Sequence, residues 1–319
     1  MTVTVLILSV DEAPMLERSL PAALAQEPAP AVVVIDNACT DATARVAARH
    51  GAERIALSPR RSYAEAINRG IAATGGEVVL LLNADCVLRP GFLAAALPRL
   101  VEPGVGSVAP KLIRAQRHPG GDRAVVSQLD AAGMVVDRRR KNGLVGHGRC
   151  AAAHARSGPA FGADGAAALY RRATLEACRL GEREVLDEDM ALWASDADLA
   201  WRAQLLGWRC VYEPAAVADH VRTYSPSTRF QMSERDRRIQ FRNRYLMVIK
   251  NDTAAGLVRD AAPILLYELL ALGHVLLRER HLLGAYADVR RYGRRALARR
   301  RVVQSRRCAS PPFGLRTPA

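Results

Sequence analysis

The first place in this 319-residue chain where residue types suggest chemistry is an apolar run that breaks into Asn83, Ala84 and Asp85. Val78 to Leu82 read as a strand buried on both faces, which delivers Asn83 and Asp85 to its carboxyl end. In an open parallel sheet that edge is where ligands bind. A carboxylate there can hold a hard cation bridging phosphate oxygens, the usual way that magnesium or manganese is bound. The competing interpretation is an Asp that caps the helix opened by Pro90 and Gly91. Polar ends recur on other apolar runs. VTVLILS leads to Ser9, Val10, Asp11 and Glu12, and AVVVIDN leads through Asp36 and Asn37 to Thr40, a helix N-cap. Farther on, Asp196 and Asp198 open a periodic helix with Leu199, Ala203 and Leu206 on one face, and Asp219 precedes His220 at a strand end. Another acidic cluster, Asp187, Glu188 and Asp189, reads as a solvated loop.

These groups need a scaffold, and the hydrophobic pattern supplies one. Strand-like runs near residues 3–9, 31–37, 54–57, 78–83 and 106–109 alternate with helix-like stretches. That alternation predicts an α/β fold with a mostly parallel sheet and flanking helices. Pro21 is expected to end or kink the first helix, and the paired glycines Gly75 and Gly76 to end the helix over residues 62–74. Between 110 and 160 the character changes. Basic, glycine-rich patches (RAQRHPGGDR, DRRRKNGLVGHGR) flank one alternating stretch, LDAAGMVVD, which predicts a hairpin or edge strand. FGADGAAALYRRATLEA, residues 161–177, reads as a small-residue strand passing into a helix; WRCVYEP is a further strand, and AAVADH leads to His220. No G-x-G-x-x-G follows the first strand and no Walker-type glycine loop occurs, which argues against a dehydrogenase or a P-loop enzyme.

Charge divides the chain. Up to Val221 there are 25 Lys+Arg and 25 Asp+Glu; from Arg222 onward there are 21 against 7, which accounts for the formal net charge of +14. A neutral body with a basic end points to an anionic surface, the cytoplasmic leaflet, rather than to nucleic acid. PILLYELLALGHVLL, residues 263–277, is apolar but shorter than the ~20 residues needed to span a bilayer. Beside arginine-rich flanks it suits an interfacial helix, or else a helix packed on the body beneath a solvated tail. The reading is therefore a catalytic unit over residues 1–225 and a basic helical region over 226–319. The six scattered cysteines, with no C-x-x-C pair, suit reduced thiols. The N-terminal run has no basic stretch before it, so no signal peptide is read. Together these predict a cytoplasmic protein, peripheral on the inner face of the cell membrane.

The motifs, taken in order, resemble the family 2 glycosyltransferases of GT-A (Rossmann-like) fold, especially their rhamnosyltransferase-like branch. The family's D-N-x-S-T-D is similar to Asp36 to Asp41, its N-x-G turn to Asn68 to Gly70, and its L-L-N-x-D to Leu81 to Asp85. G-A-x-x-L-x-R-R corresponds to Gly165 to Arg172, the acidic helix start to Ser195 to Trp208, and V-Y-x-P-x-A-x-x-x-H to Val211 to His220. The resemblance covers about residues 3–250 and implies an inverting transferase with a dTDP- or UDP-sugar donor, a divalent metal (Mn2+ or Mg2+) and a glycan, cell-wall or lipid-linked acceptor. It implies Asp196 as catalytic base, with Asp198 and Gly165 orienting helix or acceptor. Asp85 and His220 become metal ligands; Ser9, Asp11, Asp36, Asn68 and Asn83 join Asp85 around the donor, with Arg61 near a phosphate. Val10 stands where relatives often carry Tyr, Asn83 replaces the first acid of D-x-D, Ser195 replaces Glu, and Ser62-Tyr63 replaces Gly-Phe. Those departures leave an idle nucleotide-sugar binder, or a nucleic-acid binder through the basic end, as the alternative functions.

Overall fold

The computed structural model describes residues 1–115, 125–224 and 228–315. Most of RAQRHPGGDR lies outside them. The chain runs β1 (Val3–Ser9), α1 (Ala13–Leu24), β2 (Ala31–Asn37), α2 (Thr43–Arg49), β3 (Glu53–Leu57), α3 (Tyr63–Ala73), β4 (Val78–Asn83), β5 (Cys86–Leu88), α4 (Phe92–Val101) and β6 (Val105–Ala115). It continues with β7 (Val125–Ala132), β8 (Met134–Val136), β9 (Asn142–Leu144), β10 (Gly158–Ala160), β11 (Ala167–Arg171), α5 (Arg172–Ala177), α6 (Ser195–Leu205) and β12 (Arg209–His220). Four helices close it: α7 (Glu234–Asn251), α8 (Ala254–Arg259), α9 (Ala261–Leu277) and α10 (Leu283–Ser305).

One large sheet has the order β10-β12-β6-β11-β4-β1-β2-β3, with β5 added on β12 and β7 on β6. β1 pairs in parallel with both β2 and β4, while β11 inserts antiparallel beside β4. Alternate residues of β1 enter different cores: Val3, Val5 and Ile7 pack with α1 and α4, and Leu6 and Leu8 pack with α3. Burial on both faces is why β1 and β4 read as continuous apolar runs. A third core joins Trp201 of α6 to Met247 of α7 and, near the chain end, to Phe313.

Three sequence expectations change. Pro21 does not end α1, which continues to Leu24. A proline removes one N–H and crowds the preceding turn, and the buried face of Leu16, Leu20 and Ala23 holds the helix together across it. WRCVYEP and AAVADH are one strand, β12, with an irregularity between Glu213 and Val217 that re-registers it on β6. The stretch read as a hairpin or edge strand splits into β7, on the large sheet, and β8, which pairs with β9.

Candidate active site

The polar end of β4 meets the end of β12 because of sheet register. β5 follows Asp85 directly and runs antiparallel to β12, so Cys86 lies opposite His220. That brings His220 Nε2 to 3.4 Å from Asp85 Oδ1. The other ring nitrogen, Nδ1, lies 2.8 Å from Oδ2 of Asp130 in β7. Asp130 is fully buried, and Arg222 donates to both of its oxygens at 2.8–3.0 Å. Arg222 reaches onward, through Nη2, to Oδ2 of Asp164 at 2.7 Å. Asp164 holds the turn before β11 by accepting the Ala166 N–H at 2.8 Å. The next residue, Gly165, donates its N–H to Asp196 Oδ2 at 3.1 Å. A continuous polar line therefore runs from Asp85 through His220, Asp130, Arg222, Asp164 and Gly165 to Asp196, and joins β4 to the start of α6.

Gly165 lies between Tyr63 and Asp196. A Cβ built on it would lie 3.4 Å from the Tyr63 hydroxyl and 3.5 Å from Asp196 Oδ2, filling the space between them. Asp196 sits at the first turn of α6, its Oδ1 accepting the Ala197 N–H at 2.8 Å. Burial and the neighbouring Asp164 charge raise its pKa to about 6, above the usual carboxylate range, against the pull of the Gly165 and Ala197 N–H groups. Burial alone would lower the His220 pKa, but hydrogen bonds and charges from Asp130 and Asp85 outweigh it and bring it to about 9. Burial also opposes ionisation of Asp130, yet His220 and Arg222 hold it well below the ordinary range.

The loop before Asp196 is held in unusual backbone conformations. Ala191, Trp193 and Ala194 all have positive φ, between 58° and 67°, and such residues cost on the order of 1–3 kcal/mol each unless their surroundings fix them. Asn243 of α7 does so by donating to the carbonyls of Met190, Leu192 and Trp193 at 2.7–2.9 Å. Below the loop, Lys250 bridges Asp187 and Asp198, and Asn251 donates to Asp198 Oδ1 at 2.7 Å. Asp198 also takes Arg202 at 2.9 Å. Asp187 is therefore buried and paired, covered by α7 and Arg299 of α10, whereas Asp189 is half-buried and Glu188 exposed, so the loop at 187–189 is solvated only in part. Asp198 is wholly buried, so it orients α6 and cannot touch an acceptor.

Around the donor edge the residues differ in availability. Asn83 and Asp85 are part-exposed, and the Asn83 side chain has no protein partner among the described residues. Asp11, in the left-handed region at φ 57°, accepts the Thr40 N–H at 2.6 Å and pairs with Arg60. Those two groups hold its pKa at about 2. Asp36 accepts the Cys39 N–H at 2.9 Å and Arg54 at 2.7 Å, so both its oxygens carry donors. Arg61 leans on Glu65 at 3.1 Å. Two expected donor contacts are corrected by their surroundings. Ser9 is buried with its hydroxyl 2.9 Å from that of Thr43. Asn68 is buried and its amide is used up on Val185, Leu186 and Glu188, stapling α3 to the loop before Asp187.

Two groups of residues could hold a cation. Ligand atoms of Asp11, Cys39 and Asp41 lie within 4.8 Å of one another, but Asp41 is engaged by the Ala13 and Thr43 N–H groups and Asp11 by Thr40 and Arg60. The Asp85–His220 pair is the better donor set. A carboxylate on one imidazole nitrogen fixes the ring and leaves the other to face a ligand, the usual support for a metal-binding histidine. Along the polar line four carboxylates face one guanidinium and one imidazole, a deficit that suits a divalent cation. Asp130, Asp164 and Arg222 were not singled out from the sequence. Their only signals were an acid in an apolar strand, an acid before a glycine, and a base two residues past His220.

This sheet order, with β11 inserted antiparallel and the site at the β4 edge, is the GT-A arrangement. Solved structures share it: GalNAc-T7 with UDP, GalNAc and Mn2+ (TM-score 0.61, 14% identity, 78% of this chain and 48% of that one) and residues 1–349 of S. aureus TarS (TM-score 0.57, 15% identity, 96% and 90%). The mannosyltransferase PcManGT from Pyrobaculum calidifontis, with GDP-Man and Mn2+, has a TM-score of 0.53 at 21% identity, covering 95% and 79%. At such identities the likeness concerns the fold alone. The chain belongs to the family described as Glycosyltransferase like family 2, whose model matches residues 2–242. Uncharacterized glycosyltransferases of Mycobacterium tuberculosis and Mycobacterium bovis are 43% identical to it over 86 residues, 27% of this chain and 37% of theirs. The match thus spans little more than a third of those relatives.

Proposed function

We propose that the protein is an inverting, metal-dependent glycosyltransferase that moves a sugar from a dTDP- or UDP-sugar to a hydroxyl of a glycan or lipid-linked acceptor. Rhamnose is the sugar suggested by the motif resemblance. The observation that carries the reading is the polar line joining Asp85 and His220 to Asp196 across the carboxyl edge of the sheet. Family membership and GT-A relatives solved with nucleotides and Mn2+ support it.

Asp85 and His220 Nε2 are the groups that would hold a divalent cation, once Nε2 has given up the proton that the two carboxylates hold on the ring. Once bound, such an ion neutralises charge on a departing diphosphate as a Lewis acid. Asn83, without a side-chain partner among the described residues, offers its amide to the ribose or to a water beside the diphosphate. Asp196 takes the acceptor proton as the hydroxyl oxygen bonds to C1 and the C1–phosphate oxygen bond breaks on the opposite face. A base titrating at about 6 is ionised at neutral pH yet basic enough to receive that proton. Arg222 ties the two ends together, so the leaving-group corner and the base keep a fixed separation.

The test is a panel of nucleotide-sugars scored by thermal shift and by slow donor hydrolysis, with Mn2+ or with EDTA. One dTDP- or UDP-sugar should stabilise the protein only with the metal, and Asp85→Ala and His220→Ala should each remove that dependence. Metal-independent stabilisation by the same donor, unchanged in both variants, would refute the assignment.

A further inference from the structure

α9 is an apolar helix that the rest of the molecule leaves largely uncovered. Of its 17 residues only Val275 is buried. Leu265, Leu266, Leu269, Leu270, Leu276 and Leu277 are 46–80% exposed, and their i, i+4 spacing places them on one face. The helix's one acid turns the other way. Glu268 accepts from Arg244 Nη1 and the Tyr245 hydroxyl, both at 2.6 Å, fastening α9 to α7. The outer face is thus free of acidic charge and larger than scattered surface leucines would make it. Exposed arginines bracket it: Arg259 before the helix, Arg278 and Arg280 after it. Then α10, bent away by 119°, exposes Arg290, Arg291, Arg294 and Arg301, which no ion pair engages among the described residues.

Seventeen residues make a helix about 25 Å long, less than the ~30 Å hydrocarbon core. No single helix among the described residues is long and apolar enough to cross a membrane. A second copy of the chain on the leucine face would bring the arginine flanks of both copies together, a like-charge cost. A bilayer with anionic headgroups satisfies both features at once. We propose that α9 docks in the plane of such a bilayer, its leucines among the acyl chains and the arginines of its flanks and of α10 at the headgroups.

The docking helix is coupled to the reaction through α7. One side of α7 carries Arg244 and Tyr245 to α9; the other carries Asn243 to the loop at 190–193, and Lys250 and Asn251 to Asp198. α7 thus links the docking helix to the loop and the helix that bear Asp196. The acceptor class that suits this is a hydroxyl on a lipid-linked molecule at the surface; that clause rests on Asp196 as base, and the docking itself does not.

The test is co-sedimentation of the full chain with phosphatidylcholine vesicles, with and without phosphatidylglycerol. The wild type should pellet with the anionic vesicles, less so as salt screens the arginines. Leu266→Ser/Leu269→Ser/Leu270→Ser should weaken binding about tenfold or more with an unchanged Tm, since the side chains are exposed. Arg290→Gln/Arg294→Gln should reduce the preference for phosphatidylglycerol about tenfold or more, at about 1 kcal/mol per arginine. Wild-type protein that stays in solution with both vesicles overturns the proposal, as does a serine variant that binds like wild type. If the serine changes alter only the protein's own sedimentation mass, the face is a contact between copies and the proposal fails. Donor turnover is not read, so failure here leaves the transfer reading intact.

Discussion

Two carboxylates of the site are chemically alike and differ through their surroundings. Asp198 is fully buried and answered by Lys250, Arg202 and Asn251; it holds structure. Asp196, two residues earlier, pairs directly with no cation among the described residues and faces Asp164 as well as the Gly165 N–H; burial and Asp164 outweigh the more distant Arg222 charge, so it retains a proton more readily. The pH dependence follows in sign. A base must be ionised, so kcat/KM should be level above about 6 and fall about tenfold per pH unit below it. Because Asp164 raises the Asp196 pKa, Asp164→Asn should move that acid limb to lower pH. A pH–rate profile whose limb stays in place in that variant would show that Asp164 does not tune the base.

At the scale of elements, α7 packs against the candidate site although its composition belongs to the basic end. Asn243 holds three carbonyls of a loop that contains three non-glycine residues at positive φ. Asn243→Ala should relax the loop, lowering kcat through a misplaced Asp196 while leaving donor affinity intact. Equal losses in donor binding and turnover would argue against a positioning role. Lys250→Ala removes the bridging cation but leaves Arg299 on Asp187 and Arg202 on Asp198, so the cost should be about 2–3 kcal/mol, below the roughly 3–5 kcal/mol of a buried charge left unpaired. A urea titration showing less than 1 kcal/mol of change, on the scale of an exposed pair, would mean that water or rearrangement compensates. These elements also show what the sequence could reveal. Strands β1, β2 and β4 and the acidic start of α6 were legible because buried runs and helix periodicity are local. The line through Asp130, Arg222 and Asp164 was not, because it depends on β5 lying beside β12 and β7 beside β6, pairings set by register across many intervening residues. For the same reason the burial of Asn68, Asp187 and Ser9 could not be inferred from residue type.

The whole molecule closes on its own C-terminal segment. Phe313 stacks with Phe161 at 6.3 Å, meets Trp201 edge-on at 5.0 Å and lies under the Arg140 guanidinium at 3.9 Å. Arg140 is itself buried between Asp252 and Asp260. The residues divided by composition at 225/226 are thus laced together in three dimensions. Phe313→Ala should lower stability by about 1–3 kcal/mol, from lost apolar area and ring contacts, read as a drop in Tm. An unchanged Tm would show that the tail adds nothing to the third core.

Sugar transfer as proposed requires Asp196 to take the acceptor's proton, and Asp196→Asn tests this role most directly. The amide keeps shape and can still accept the Gly165 N–H, but it cannot take up the proton. With donor affinity measured alongside turnover, donor binding should be unchanged and kcat lower by about 10²–10⁴-fold, with the acid limb near pH 6 gone. Full turnover in the Asn variant, at unchanged donor affinity, would contradict that role.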